Sequence, residues 1–181
     1  MPTIIYLGRI KKSKGISDLI EALYYVRKKI QDVKLWIVGR GDPTYLTELL
    51  RLISKLGFVE CVTFFGFVDE KTKFELLSRA HILVLPSIRE GWGLVVTEAN
   101  SVGTPAVGYD IPGLRDSISD GFSGLLVESG PEALADGMMR VLSNDGLRED
   151  LSRNAIEWAG RFSWDKTAEE FLNVVKKVSL G

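Results

Sequence analysis

Glu90 and Glu98 stand eight positions apart in "EGWGLVVTE", with Gly91 and Gly93 between them. An ionised carboxylate can only accept hydrogen bonds, so two of them beside a glycine-freed backbone suit the hydroxyls of a sugar. A helix starting near Gly93 would add amide donors of the kind that bind a diphosphate. A second feature lies upstream in "GRIKKSKG" (8–15), where Arg9 and Lys14 bracket a loop that ends in Gly15 just ahead of a helical pattern. Two cations beside a helix N-terminus make a phosphate site, because the end amides and the helix dipole both favour anions. Taken singly, each feature has a plainer reading: a solvated basic loop, an exposed Glu90, a Glu98 engaged in a surface salt bridge.

Two further loops carry unusual residues. In "VGRGDP" (38–43), Gly39 and Gly41 let backbone come close to a ligand, although the third glycine of a dinucleotide fingerprint is missing. Read alone, this is a tight turn with Asp42 as the cap of the next helix. In "GFVDEKTK" (66–73), Asp69 is the expected cap, and Phe67 and Val68 either flank a planar base or complete the core.

The surrounding elements are legible from periodicity. Strands are expected at 3–8, 34–39, 61–66, 82–86, 105–109 and 124–128, each a short apolar, β-branched run. Helices are expected at 16–30, 44–57, 69–80 and from Gly93 onward, with a short one over Leu114–Ser119. From Pro131 only helices are evident, at 131–143, 147–160 and 164–179. Apolar strands alternating with helices predict an α/β fold, a doubly wound parallel Rossmann-like sheet of about six strands with C-terminal helices. Ligands in such sheets bind beyond the carboxyl ends of the strands. All four loops described above sit there, so they are expected to share one cleft.

Composition narrows the function. At 181 residues the chain fits one α/β domain, and 45% hydrophobic residues supply a packed core. A net charge of −1 offers no global field for nucleic acid or an anionic membrane. The longest apolar runs, such as "ILVLP" (82–86), are too short to span a bilayer, and "MPTIIYLGR" lacks the pattern of a signal peptide. One cysteine, Cys61, cannot form an internal disulfide, so a reducing cytoplasm is the expected compartment.

In these residues the chain resembles the C-terminal, nucleotide-sugar-binding half of the family 4 retaining glycosyltransferases, which have the GT-B fold. The family pattern E-x7-E, followed by a small-residue helix and G-x-P, corresponds to Glu90, Glu98 and Gly103–Thr104–Pro105. Its G-R-x4-K-G pattern corresponds to Gly8, Arg9, Lys14 and Gly15. "PGLRDSISDGFSGLLVE" (112–128) and "FSWD" (162–165) resemble later family segments, so the likeness runs over essentially the whole chain.

The resemblance implies a role for each position. Arg9 and Lys14 neutralise the donor diphosphate as it leaves, and Glu90 binds hydroxyls of the transferred sugar. Backbone from Gly91 through Trp92, Gly93 and Leu94 lies beside sugar and phosphate. Glu98 holds the ribose hydroxyls, and the loop Gly66, Phe67, Val68 lines the base. The donor is a UDP-, GDP- or ADP-linked sugar, with no separate cofactor; no Asp-x-Asp metal motif is present, which implies a metal-independent reaction. Trp92 stands where Phe is commoner, and Asn100 interrupts an otherwise small-residue helix, which makes donor identity the least determined property.

In GT-B enzymes the acceptor binds a separate N-terminal domain, which this chain is expected to lack. Residues 1–181 are then a single donor-binding domain, inactive in transfer alone, cytoplasmic or held at a membrane through the other half. Two rivals share the fold: half of a nucleotide-sugar epimerase, against which E-x7-E argues, and a non-catalytic regulatory or interaction subunit. The last helix (164–179) either crosses to the other domain or packs on this one as an ordinary amphipathic helix. His81 is expected as a packing or hydrogen-bonded residue, Cys61 as a buried thiol, and Trp36, Trp158 and Trp164 as core.

Overall fold

A computed structural model of the protein describes residues 1–179, without the side chains of Trp164 and Ser179. Strands β1 (Thr3–Leu7), β2 (Lys34–Val38), β3 (Val62–Gly66), β4 (Ile82–Leu85), β5 (Ala106–Tyr109) and β6 (Gly124–Val127) form one parallel sheet in the order β3-β2-β1-β4-β5-β6. Between and after them run α1 (Ile16–Arg27), α2 (Pro43–Leu56), α3 (Glu70–Arg79), α4 (Leu94–Ser101), α5 (Leu114–Ser117), α6 (Pro131–Leu142), α7 (Asp145–Ala159) and α8 (Trp164–Ser179). This is the doubly wound α/β architecture the alternating pattern predicts. Every residue of β1 and β4 is buried, as their unbroken apolar runs require of strands covered on both faces. The chain reverses its winding between β1 and β4, which pair through Ile4 with Ile82 and Ile5 with Leu83. That point is where a crevice must open at the strand ends.

Helix ends follow local chemistry. The Asp42 carboxylate accepts from Thr44 and Tyr45 N–H at the start of α2, and Asp69 accepts from Thr72 N–H at the start of α3. The Tyr45 and Thr44 amides hold the Asp42 carboxyl below the usual range, and the Thr72 side chain and then its amide do the same for Asp69. Gly57, at φ 73°, closes α2. His81 Nδ1 accepts the Thr3 N–H at 3.1 Å, so it is the hydrogen-bonded residue expected, at the start of the central strand β1. Burial, then the charge of Arg148, pushes its pKa down, and burial pushes the Cys61 thiol up.

The aromatic residues depart from expectation. Trp36 and Trp158 are only half-buried. Trp36 lies one strand from the sheet edge, edge-on to Phe65 with the Arg79 guanidinium over its ring. Trp158 donates its indole N–H to the Ser117 carbonyl at 2.8 Å and meets Phe162. The Trp164 side chain lies outside the described residues. Helix α8 does not pack on this domain: its described side chains from 165 to 178 are exposed, including Phe171, Leu172, Val175 and Val178. No helix among the described residues is long and apolar enough to cross a membrane.

Candidate functional site

The loops after β1 and β4 meet at the reversal point. Gly15 takes φ 64°, and a Cβ there would sit 2.0 Å from the Pro86 carbonyl oxygen, so only glycine lets the two loops touch. The Ile88 N–H donates to the Ser13 carbonyl at 3.2 Å across the same contact. Beside it, Gly39 fits against Gly8, where a Cβ would lie 1.9 Å from the Gly8 oxygen. Gly41 similarly meets Ile10. The glycines of "VGRGDP" are therefore demanded first by contact between loops.

Two cavities open above these loops and share Leu7, Gly8, Arg9 and Val95 as walls. One, of about 360 Å³, is lined by Arg9, Lys14, Glu90, Gly91, Trp92, Gly93 and Leu94, together with Tyr6 and Ser87. The other, of about 330 Å³, is lined by Gly39, Phe67, Val68 and Glu98, together with Arg40 and Lys73. The four loops singled out in the sequence thus build one continuous cleft at the carboxyl end of the sheet. Of the predicted site residues, Gly66 alone is not on its walls; its carbonyl accepts from Gly39 N–H at 2.7 Å instead.

Two ion pairs lie in the cleft, whereas Arg9 and Arg40 on its walls form none among the described residues. Lys14 donates to the Glu90 carboxylate, and their side chains are 16% and 19% exposed. Lys73 donates to Glu98 at 2.7 Å, with exposures of 19% and 31%. Helices α1 and α4 both begin here on glycine N-caps in the left-handed region, Gly15 and Gly93, with no side chain capping them. Their first N–H groups meet no side-chain cap, as is also true of α5 and α6, whereas Asp42, Asp69 and Asn144 cap α2, α3 and α7; at the cleft such free amides suit an anion. Tyr6 lies beneath the loop and donates its phenolic hydrogen to the Arg9 carbonyl at 2.8 Å. Burial, and then the negative charge of Glu90, drives its pKa well above the ordinary value.

The aromatic walls differ in kind. Trp92 sits edge-on to Phe162, ring centres 5.1 Å apart, which ties the Gly-rich loop to the "FSWD" segment. Phe67 is 68% exposed at the rim with the Arg40 guanidinium 4.8 Å from its ring centre, so it presents a flat face rather than completing the core. Sequence reading missed Arg40, Lys73, Tyr6 and Ser87. Arg40 was visible between two glycines of a singled-out loop; Lys73 resembled any lysine on a helix surface. The Ser87 hydroxyl is buried and has no hydrogen-bond partner among the described residues. Among the described residues no group of three or more His, Cys, Asp and Glu side chains is placed to hold a metal ion.

A larger cavity, about 540 Å³, opens at the opposite end of the sheet beside His81, Arg79, Arg148 and Arg153. Each of those arginines is paired with a carboxylate one turn away on its own helix. It contains none of the motif residues.

Comparison with known proteins shows the family of the chain. The family model described as "Glycosyl transferases group 1" matches residues 1–158. A phosphatidyl-myo-inositol mannosyltransferase of Mycobacterium leprae is 36% identical over 180 residues, 98% of this chain and 47% of that protein. An uncharacterised glycosyltransferase of Methanocaldococcus jannaschii is 37% identical over 176 residues, 96% of this chain and 44% of that protein. Among solved structures, a mutant of S. aureus TarM in complex with fondaparinux, alpha-GlcNAc-glycerol and UDP superposes with a TM-score of 0.86. It is 28% identical and covers 94% of this chain and 34% of its own. The chain spans less than half the length of these relatives.

Proposed function

The chain belongs to the group 1 glycosyl transferases, and from that premise we infer that it is the half of a retaining hexosyltransferase that binds the nucleotide-diphosphate sugar. One observation carries this reading: Arg9, Lys14, Glu90 and Glu98, spread over 90 residues of sequence, line a single cleft between two uncapped helix N-termini. The diphosphate is met by Arg9, Lys14 and the free amides of α1 and α4. The Glu90 carboxylate accepts from hydroxyls of the sugar, and Glu98 from those of the ribose. The base lies along Phe67 and Val68. The UDP in complex with the TarM mutant supports a nucleotide in this cleft.

In the transfer, the bond from the anomeric carbon to the diphosphate oxygen breaks as a bond to the acceptor oxygen forms, and the acceptor hydroxyl passes its proton to the departing diphosphate. Negative charge develops on the departing diphosphate, where Arg9 and Lys14 stabilise it in a cleft partly shielded from water. The acceptor is held by a second domain, in keeping with the greater length of the relatives. Without it the 181-residue chain binds donor but does not transfer, because the two reactants are not held together.

Thermal unfolding against UDP, GDP, ADP and their sugar conjugates tests the reading. A nucleotide at a hundred times its dissociation constant stabilises the chain by about 2.7 kcal/mol, and Lys14→Ala removes the effect. A chain indifferent to all of them would defeat it.

A further inference from the structure

Lys73 is the lysine of this cleft that no sequence pattern accounts for. It sits in the first turn of α3 and reaches across to Glu98 on α4, donating to Oε1 at 2.7 Å. Its other acidic neighbour, Glu70, is 3.8 Å away and 80% exposed, too distant and too well solvated to compete. The Phe74 ring lies 4.7 Å from the ammonium. Lys73 therefore has one close partner.

Among the residues lining this cavity, Glu98 is the sole carboxylate, facing Arg9, Arg40 and Lys73. Its Oε1 is occupied, and its side chain has no other hydrogen bond among the described residues. Engaging one oxygen restricts rotation of the carboxylate, and the second oxygen remains to accept an O–H from a narrower range of directions.

We propose that Lys73 is a positioning residue that holds Glu98 so that its free oxygen accepts from a ribose hydroxyl, and so sets preference for ribo- over deoxyribonucleotides. This rests on the reading of Glu98 as the ribose contact. The ammonium also offsets the carboxylate charge beside an anionic ligand, but that effect acts equally on ribo- and deoxyribonucleotides. The ratio of their affinities isolates the orienting role.

The test is calorimetric titration of the 181-residue chain with UDP, GDP and ADP and with their 2′-deoxy counterparts, in wild type, Lys73→Met and Glu98→Gln. The wild type prefers the ribonucleotide it binds by at least roughly tenfold, the lower end of the worth of one hydrogen bond to a charged group. In both variants that ratio falls to within about twofold, whatever happens to absolute affinity. Lys73→Arg, which keeps a charged donor, recovers part of the preference. Should Lys73→Met fail to fold, Lys73→Ala, which likewise has no donor, is read in the same way. A wild-type ratio in the folded variant overturns the proposal. A wild type that binds nucleotide without any ribose preference overturns it too, yet leaves Arg9 and Lys14 as the diphosphate site. Binding of none of the six ligands overturns the donor reading itself.

Discussion

Replacing Glu90 by glutamine should strengthen binding of a free nucleoside diphosphate while weakening the contribution of the sugar. The Lys14 ammonium is held against Glu90, and both side chains are more than four-fifths covered. At an effective dielectric near 20, unit charges about 4 Å apart attract by about 4 kcal/mol, and desolvation offsets much of that. A diphosphate must draw Lys14 away from this partner and then lie near the carboxylate left behind. Glutamine is isosteric and uncharged, so it removes the repulsion and holds the lysine less firmly. A net gain of about 1–2 kcal/mol is reasonable for a pair of this exposure, or roughly 5–30-fold in affinity for the free nucleotide. The sugar conjugate gains the same relief but loses a charged acceptor for its hydroxyls, a cost of about 1.5–3 kcal/mol. Calorimetric titration of wild type and Glu90→Gln with both ligands measures the two effects separately. Equal weakening of nucleotide and nucleotide sugar would refute the argument, since Glu90 would then neither restrain Lys14 nor touch the sugar.

Two further outcomes follow from packing and titration. Gly15→Ala should cost more than the roughly 1–2 kcal/mol of a left-handed alanine, because its Cβ would fall 2.0 Å from backbone at Pro86; a urea-unfolding loss below about 1 kcal/mol would mean that the two loops do not touch. His81 has a lowered pKa, so the native state binds fewer protons than the unfolded one, and its stabilising contribution is complete above the ordinary value of 6.5 and lost as pH falls below it. Urea midpoints at about pH 7.5 and about pH 5.5 should therefore separate more in wild type than in His81→Asn, and equal separations would exclude His81 as the source.

The architecture was legible because each strand is an apolar run too short to be anything else between amphipathic stretches, as in "TIIYLG" and "ILVLP". Asp42 and Asp69 were readable as caps because capping acts over three residues. What depends on strand order was not readable. Trp36 could be placed on a strand, but not one strand from the edge, where Phe65 and Arg79 cover it incompletely. Lys73 is separated from Glu98 by 25 residues, and only the seating of α3 against α4 brings them together. Arg40 and Phe67 likewise meet only because the loops after β2 and β3 emerge side by side. Gly39 was singled out for a ligand, yet the Gly8 backbone is its nearest constraint. The apolar face of α8 announced itself in sequence; that this domain leaves it uncovered did not.

The place of β1 in the middle of the sheet also has a consequence for how the protein is made. Strand β1 zips to β2 over five residue pairs, Thr3–Lys34 through Leu7–Val38, soon after both are synthesised. Its other side waits for β4: Thr3 is bonded to His81, 78 residues further along. From Val38 at the end of β2 to Ile82 at the start of β4 is an interval of 44 residues, roughly 2–9 s at translation rates of about 5–20 residues per second. Throughout it, Ile4 and Ile5 belong to an open, strongly apolar edge of the nascent sheet, which β3 extends on its other side. Slow codons placed between β2 and β4 would lengthen this exposure, whereas the same codons after β4 would find the edge already closed.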